Sequence, residues 1–416
     1  MRNLALITPW PPQRSGIADY ALDLAIGLDA QGVNVDVFTT SKDYPTPPPN
    51  IAIQHVDQFP GSRAYDQTVY QMGNCADFHA EMLPVLFENP GVVHLHDMTL
   101  HHLMAFFLFR GDTRDYYRVL QYWYGPDVAT RVRTHNQTAY PCFWDSSSVS
   151  EVPFFDPVLH AATGCIVHSE YARRAVLQRM PDLPTVAIPQ VYRNMTPATD
   201  LPANELLNIG VFGIVQKHKH VDLLLQTAAA CNEGQRRVHL HIGGELDRGC
   251  EGLPALAEAL GIRDCVTFYG RMHESDFLRL MREVDLCISL RYPTMGETSA
   301  IVSRAVQLGL PTVVNDIGWY AELPSCVHKL PIEAAALKEQ LVHLVRSFAH
   351  DRAALKQWTR QCRQLASGTY SFENVCSNYV QLLDQFESTS DPANAVQQPT
   401  PMPAVTSAAL LEPQAA

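Results

Sequence analysis

The sequence predicts an α/β protein of two doubly wound parallel-sheet domains facing a central cleft, and three observations predict it. Short apolar, β-branched runs alternate with longer helical patterns from residue 4 to residue 386, as strands joined by crossover helices do. At 416 residues the chain exceeds one ordinary core, so two domains are expected. A polar, proline-containing segment, RNMTPATDLPANE at 193–205, interrupts the alternation near the middle.

Hydrophobic residues make up 46% of the chain and charged residues 18%, the balance of a globular protein in water. No run of about 18 apolar residues offers a transmembrane helix. The opening MRNLALITPW is broken by Pro9, Pro11 and Pro12 before a signal-peptide core can form, and it reads as the first buried strand. With 31 basic and 43 acidic residues the formal charge is −12, which disfavours adhesion to nucleic acid or anionic lipid. The ten cysteines, Cys75, Cys165, Cys265 and Cys376 among them, form no C-x-x-C pair. Neither a zinc-ribbon spacing nor a disulfide framework is present, and a reducing cytoplasm fits.

In chain order, LALIT (4–8), the helical pattern 17–32 and VDVFTT (35–40) make the first strand–helix–strand unit. GVVHLHD (91–97) and GCIVHS (164–169) are buried strands with polar mouths. The aromatic stretch FFLFRGDTRDYYRVLQYWYG (106–125) between them reads as an amphipathic helix covering the domain, with packing beside an acceptor cleft as the alternative. These elements make a first domain, 1–192, and the linker 193–205 follows. The second domain, 206–365, carries LLNIGVFG (206–213), VHLHIGGE (238–245), VTFYG (266–270), LCISL (286–290) and PTVVND (311–316) as strands. A C-terminal helical segment, 366–387, is expected to pack back on the first domain. The Pro/Ala/Ser/Gln-rich remainder, 388–416, reads as a disordered tail.

In open α/β sheets ligands belong at the carboxyl ends of the strands, so the loops there are the places to seek chemistry. The segment RYPTMGETSAIVSRAVQLGLPTVVND (291–316) puts Glu297 in a Gly/Ser/Thr-rich turn, with Thr298 and Ser299 at the start of a helix. Unpaired N–H groups and the dipole at such a start favour an anion, phosphate above all. Glu297 can accept from hydroxyls but cannot itself favour phosphate. The turn therefore suits a ligand with phosphate and polyol parts, such as a sugar nucleotide; an ordinary capping turn is the plainer alternative. VFGIVQKHKHVDLLL (211–225) places Gly213, Lys217 and Lys219 between a strand and a helix, where an ammonium can neutralise a leaving diphosphate or simply face solvent. PWPPQRSGIADY (9–20) is a proline-stiffened loop with Gly16 at a helix start. HLHDMTLHHL (94–103) gathers four histidines and Asp97 at a strand mouth. Its spacing departs from the hydrolase H-x-H-x-D-H pattern, and strand alternation points His94 and His96 one way and Asp97 the other. A metal site, structural histidines, and His96 contacting a substrate hydroxyl are the three readings.

These motifs resemble the retaining, nucleotide-sugar-dependent glycosyltransferases of family 4, also called glycosyl transferase group 1, over nearly residues 1–386. The resemblance rests on PPQRSGIADYALDLAIGL, YQMGN with His79, PGVVHLHD, IVHSEYARR, FGIVQKHKH, GRMHESDFLRLMREVDLCISL, GETSAIVSRAVQLGLPTVV and DIGWYAELP, in this order and spacing. It implies the GT-B fold of two Rossmann-like domains. It also implies that Glu297 contacts the donor sugar while the amides of Thr298, Ser299 and Ala300 hold the diphosphate. Lys219 matches the phosphate-binding lysine, Gly213 and Lys217 flank it, and Gly16 matches the glycine of the first loop. His96 resembles the histidine near the reacting centre, Asn74, His79 and Asp97 fall on the acceptor side, and Arg271 lies where the base is cradled. The sequence departs from the pattern twice: Arg304 and Ala305 stand where a second glutamate is usual, and Ile214 follows the glycine in place of an arginine.

The implied reaction moves a sugar from a nucleoside diphosphate to an acceptor hydroxyl, with retention and with neither a metal nor another cofactor. A glycan or lipid-linked acceptor is implied, the latter bringing peripheral contact with the inner face of the membrane. Two rivals stand beside it: a non-catalytic sugar-nucleotide-binding protein, and a metal-dependent hydrolase using the His94–His102 cluster.

Overall fold

The computed structural model describes residues 2–109, 113–197 and 206–389. They fall into two compact units, one of residues 2–189, 295–297 and 376–389, the other of residues 190–197, 206–294 and 298–375. Residues 198–205 of the expected linker and 390–416 of the expected tail lie outside the described residues.

In the first unit seven parallel strands form one sheet: β1 (Asn3–Ile7), β2 (Asn34–Thr39), β3 (Ala52–His55), β4 (Gln67–Met72), β5 (Val92–Leu95), β6 (Gly164–Val167) and β7 (Thr185–Ala187). Their order is β3-β2-β1-β4-β5-β6-β7. The second unit holds β8 (Leu207–Phe212), β9 (Val238–Gly243), β10 (Val266–Phe268), β11 (Leu286–Ser289), β12 (Thr312–Asn315) and β13 (His328–Leu330), in the order β10-β9-β8-β11-β12-β13. Both sheets are the doubly wound kind that the alternation predicts. β5, β6 and β12 are buried along their whole length, as inner strands of a parallel sheet covered on both faces are.

Four strands escape the sequence pattern. β3, β7 and β13 lie at sheet edges and have three or four residues, too few for a clear apolar run. β4, QTVYQM, is central and almost wholly buried, yet it carries Gln67, Thr68 and Gln71. Its polar residues hide it in the sequence; Gln71 is fully buried and serves the histidines described below.

Three helices that follow strand ends start on a serine cap. Ser15 accepts from the Ile17 amide before Gly16–Ala30, Ser169 from the Ala172 amide before Glu170–Arg179, and Ser299 from the Val302 amide before Ala300–Gln307. The aromatic stretch forms His101–Phe109 and Thr113–Thr138, the second bending at Gly125 (φ 84°) ahead of Pro126. Tyr116 and Leu120 are buried in the first unit's core with Phe143 and Phe154, so this stretch covers the sheet.

The last helix, Phe372–Thr389, runs two residues into the stretch expected to be tail. Its turns from Cys376 onward belong to the first unit. Arg2 donates to the Val380 carbonyl at 3.2 Å, and Ser377 Oγ to Gln31 Oε1 at 2.9 Å. The Phe386 ring lies where a side chain on Gly164 would have to go, 2.5 Å from that Cβ position. Phe386→Ala is therefore expected to destabilise the first unit by about 3–5 kcal/mol, read as a lower urea midpoint at unchanged slope. An unchanged midpoint would mean that this ring is not part of the core.

Candidate active site

Each sheet reverses its strand order beside its first strand, between β1 and β4 and between β8 and β11. The carboxyl ends at such a reversal open a crevice that no crossover helix covers. In the second unit the loop after β8 begins at Gly213, whose φ of +79° suits glycine. A Cβ there would lie 3.1 Å from Lys219 Nζ and 3.3 Å from Ile301 Cγ1, so the glycine lets the backbone, the lysine and the start of helix Ala300–Gln307 converge. Lys219 closes a short turn, Lys217–Lys219, and is 9% exposed. Its ammonium donates to the Phe212 carbonyl at 3.1 Å. Burial, and secondarily the positive charge of Arg291, lower its pKa to about 8. Lys217 is exposed and lies along Gly249 instead.

The loop after β11 is pinned to that turn: the Tyr292 amide donates to the His218 carbonyl at 2.9 Å, and His220 Nε2 meets the Tyr292 carbonyl at 3.0 Å. Gly296 takes φ +84°. Glu297 is half-buried and accepts from the Met295 amide at 2.8 Å. Thr298 and Ala300 are half-buried, whereas Ser299 is buried and its hydroxyl is engaged as the helix cap. The first amides of an α-helix have no partner within it, and Ser299 satisfies only that of Val302; the Ala300 and Ile301 amides are the donors a ligand could use. Arg271 is exposed after the edge strand β10, two strands from β8 and so about 10 Å from the reversal. Ala305 is fully buried in the core with Phe212 and Cys287. Arg304 lies over the Tyr192 ring at 4.3 Å and pairs with Glu274 at 3.4 Å. Neither position offers the carboxylate found there in the resembled family.

In the first unit Gly16 opens its helix, and no atom lies within 4 Å of a Cβ placed on it. The loop after β4 brings in Gly73, which the sequence reading passed over although it sits in YQMGN. A Cβ on Gly73 would be 2.4 Å from Ile17 Cδ1 and 3.0 Å from both Asp97 Oδ2 and His79 Nε2, so only glycine fits. Asp97 accepts from the Asn74 amide at 2.7 Å. The Asn74 side chain caps helix His101–Phe109 by accepting from the His102 and Leu103 amides at 3.1 and 3.3 Å. His79 is buried, and burial lowers its pKa to about 3. Burial raises the pKa of Asp97; the Asn74 amide opposes this and the charge of Glu297 adds to it.

The His94–His102 stretch does not act as one cluster. His101 is buried between the Val152 carbonyl at 2.7 Å and the Tyr116 hydroxyl at 2.6 Å, and His102 faces the Asn74 carbonyl at 3.3 Å. The structure instead groups His94 and His96 with His168, which follows β6 and which no sequence spacing singled out. One nitrogen from each of these three rings lies within 4.8 Å of the others, so among the described residues they form a group able to hold a metal. Both His96 nitrogens are engaged, Nε2 with Gln71 Oε1 and Nδ1 with His168 Nε2 at 3.0 Å. A substrate hydroxyl would have to displace one of them. All three imidazoles are held neutral, first by burial, with the neighbouring rings adding to it for His94 and His96.

The family model Glycosyl transferases group 1 matches residues 204–347. No curated protein matches the chain. Among solved structures it is similar to WaaG, a glycosyltransferase involved in lipopolysaccharide biosynthesis, at 15% identity over 91% of this chain and 99% of that one, with a TM-score of 0.60. It is similar to sucrose-phosphate synthase from Thermosynechococcus elongatus at 17% identity over 94% and 100%, with a TM-score of 0.61. It is also similar to HepE of Anabaena, solved in complex with UDP and glucose, at 15% identity over 92% and 100%, with a TM-score of 0.59. At these identities the likeness is one of fold, the GT-B fold of two Rossmann-like domains. Residues 204–347 thus match the group 1 glycosyl transferase model, in a chain with the GT-B fold.

Proposed function

We propose that this glycosyltransferase moves a sugar, with retention, from a nucleoside-diphosphate sugar to a hydroxyl of a glycan or lipid-linked acceptor in polysaccharide, lipopolysaccharide or related glycoconjugate biosynthesis. The observation that carries the reading is the buried Lys219 ammonium, held under the Gly213 turn beside the start of helix Ala300–Gln307. A buried ammonium with another cation acting on it is electrostatically incomplete, and a diphosphate completes it. As the bond from the anomeric carbon to the diphosphate breaks, negative charge grows on the leaving oxygens. Lys219 and the Ala300 and Ile301 amides stabilise it without having to reorient. Glu297, joined to that helix start through Thr298 and Ser299, accepts from the sugar hydroxyls. On the acceptor side Asp97 is the polar group, held by the Asn74 amide, with His79 beside Gly73. His96 shapes that strand mouth as a positioning residue. The nucleotide sugar is the only cosubstrate in this scheme. Support comes from the matched family and from the WaaG and HepE likenesses. No described helix is long and apolar enough to cross a membrane, and the reading places the work in the cytoplasm, at the inner membrane face when the acceptor is a lipid.

The buried Ala305, with Arg304 stacked on Tyr192, favours a second reading in which the protein binds a sugar nucleotide without turning it over. A thermal-shift screen of nucleotide sugars followed by a transfer and donor-hydrolysis assay separates the two, since binding without turnover supports the second.

Lys219→Ala is expected to lower kcat/KM by roughly 100- to 1000-fold, the loss typical of one oxyanion donor, with no fall in melting temperature. Glu297→Gln is expected to lower it by a comparable factor. Full turnover by both variants would remove the site assignment. The depressed pKa of Lys219 gives a pH test. Below about 8 the ammonium is present in the free protein; above it, binding a diphosphate must recharge the amine and take up a proton. Calorimetry with UDP is expected to show affinity falling by up to roughly tenfold per pH unit above that point, with proton uptake that Lys219→Ala abolishes.

A further inference from the structure

The three buried histidines present a protonation conflict. His94 lies in β5, in register with Ile166 of β6, so His96 and His168 stand at the same level two residues beyond. The ring centroids form a near-equilateral triangle with sides of 4.6, 4.6 and 4.8 Å. His168 Nδ1 faces the Ile188 carbonyl at 3.2 Å, and a carbonyl only accepts, so that nitrogen carries the ring's proton. With the Gln71 amide in this orientation His96 Nε2 faces Oε1, also only an acceptor, and carries the proton too, while Gln71 Nε2 is left buried without a partner. A neutral imidazole has one N–H. His168 Nε2 and His96 Nδ1, 3.0 Å apart, therefore both present lone pairs to each other. His94 Nδ1 meets the Tyr379 hydroxyl at 3.2 Å, while His94 Nε2 is buried without a hydrogen-bond partner.

The His168 Nε2 and His96 Nδ1 lone pairs repel one another unless a cation sits between them, and His94 Nε2 adds a third when the Tyr379 hydroxyl accepts from His94 Nδ1. A proton on one ring would leave a buried charge, and among the described residues no carboxylate is bonded to any of the three rings. The outer hydrogen bonds are those of metal-ligating histidines, which give their second N–H to a carbonyl and thereby fix the inward lone pair. We infer that His94 Nε2, His96 Nδ1 and His168 Nε2 bind one divalent transition-metal ion, zinc fitting best, as a structural tie between β5 and the turn after β6. Neutral imidazole donors select this class of metal over magnesium or calcium. The Tyr20 ring meets all three imidazoles edge-on at 5.2 to 5.6 Å and screens them from water. The ion takes no part in glycosyl transfer, so the inference stands or falls apart from the proposed function.

The test uses the full chain, purified without a histidine tag or chelator. Elemental analysis is expected to find about one zinc per chain. After stripping with a chelator, titration with cobalt(II) is expected to give the visible bands of a low-coordinate site at a one-to-one endpoint. His168→Gln should lose both signals. The double variant His239→Gln/His241→Gln, which removes a half-exposed imidazole pair, should keep them and guards against adventitious surface binding. If His168→Gln fails to fold, nitrogen NMR of the wild-type imidazoles in added zinc decides. Metal-shifted His96 Nδ1 and His168 Nε2 support the site, and a proton on His96 Nδ1 shows a reversed Gln71 amide and overturns it. Substoichiometric metal with no cobalt uptake, or equal uptake by the wild type and a folded His168→Gln, also overturns it.

Discussion

Both sheets turn back on their own first strand, and the glycine loops, Lys219 and the Glu297 segment hang on that reversal. Successive right-handed crossovers carry the chain outward from β1 to β3, then back past β1 to β4, and the covering helices change face at that step. The carboxyl ends of β1 and β4 are left without a helix above them, and β8 and β11 repeat the arrangement. Gly16 follows β1, Gly73 and Asn74 follow β4, the Gly213–Lys219 turn follows β8, and the Glu297 segment follows β11. Parallel strands also bury both faces of the sheet, so these ends are where polar groups can gather without cost to the core.

Two kinds of basic side chain are buried at these ends and are treated differently. Lys219, its pKa lowered to about 8 by burial and then by Arg291, still carries a charge at neutral pH, and the Phe212 carbonyl that accepts from it is a thin substitute for water. That leaves a local demand for an anion. His94, His96 and His168 are neutral, and their demand is for a cation at the point where their lone pairs converge. Burial drives both shifts; the neighbouring acceptors decide what each place can bind.

The turn and helix start at 296–300 were legible in the sequence because their signals are local. A serine cap, a glycine with positive φ and a small-residue helix start all act within a few residues, and Ser299, Gly296 and the Ala300 helix follow them. The resemblance to the family singled out Lys219 over Lys217, whereas the residues alone could not, since which of the two turns inward depends on Gly213 and Gly249. Gly73 gave no signal beyond its place in YQMGN, because what makes it necessary is Ile17, Asp97 and His79 arriving from three other segments. Arg271 matched a family position, whereas its strand lies at the sheet edge.

By itself the sequence determined the class of the fold, its strands where they are apolar on both faces, the helix start after the turn at 297 and the likeness to group 1 glycosyltransferases. Each of these depends on residues near one another along the chain. The tertiary structure alone decided the strand order, the inclusion of polar β4, the burial of Lys219 and the meeting of His168 with His94 and His96. Those depend on which strands lie side by side, and parallel pairing joins residues about seventy positions apart whose spacing carries no periodic mark.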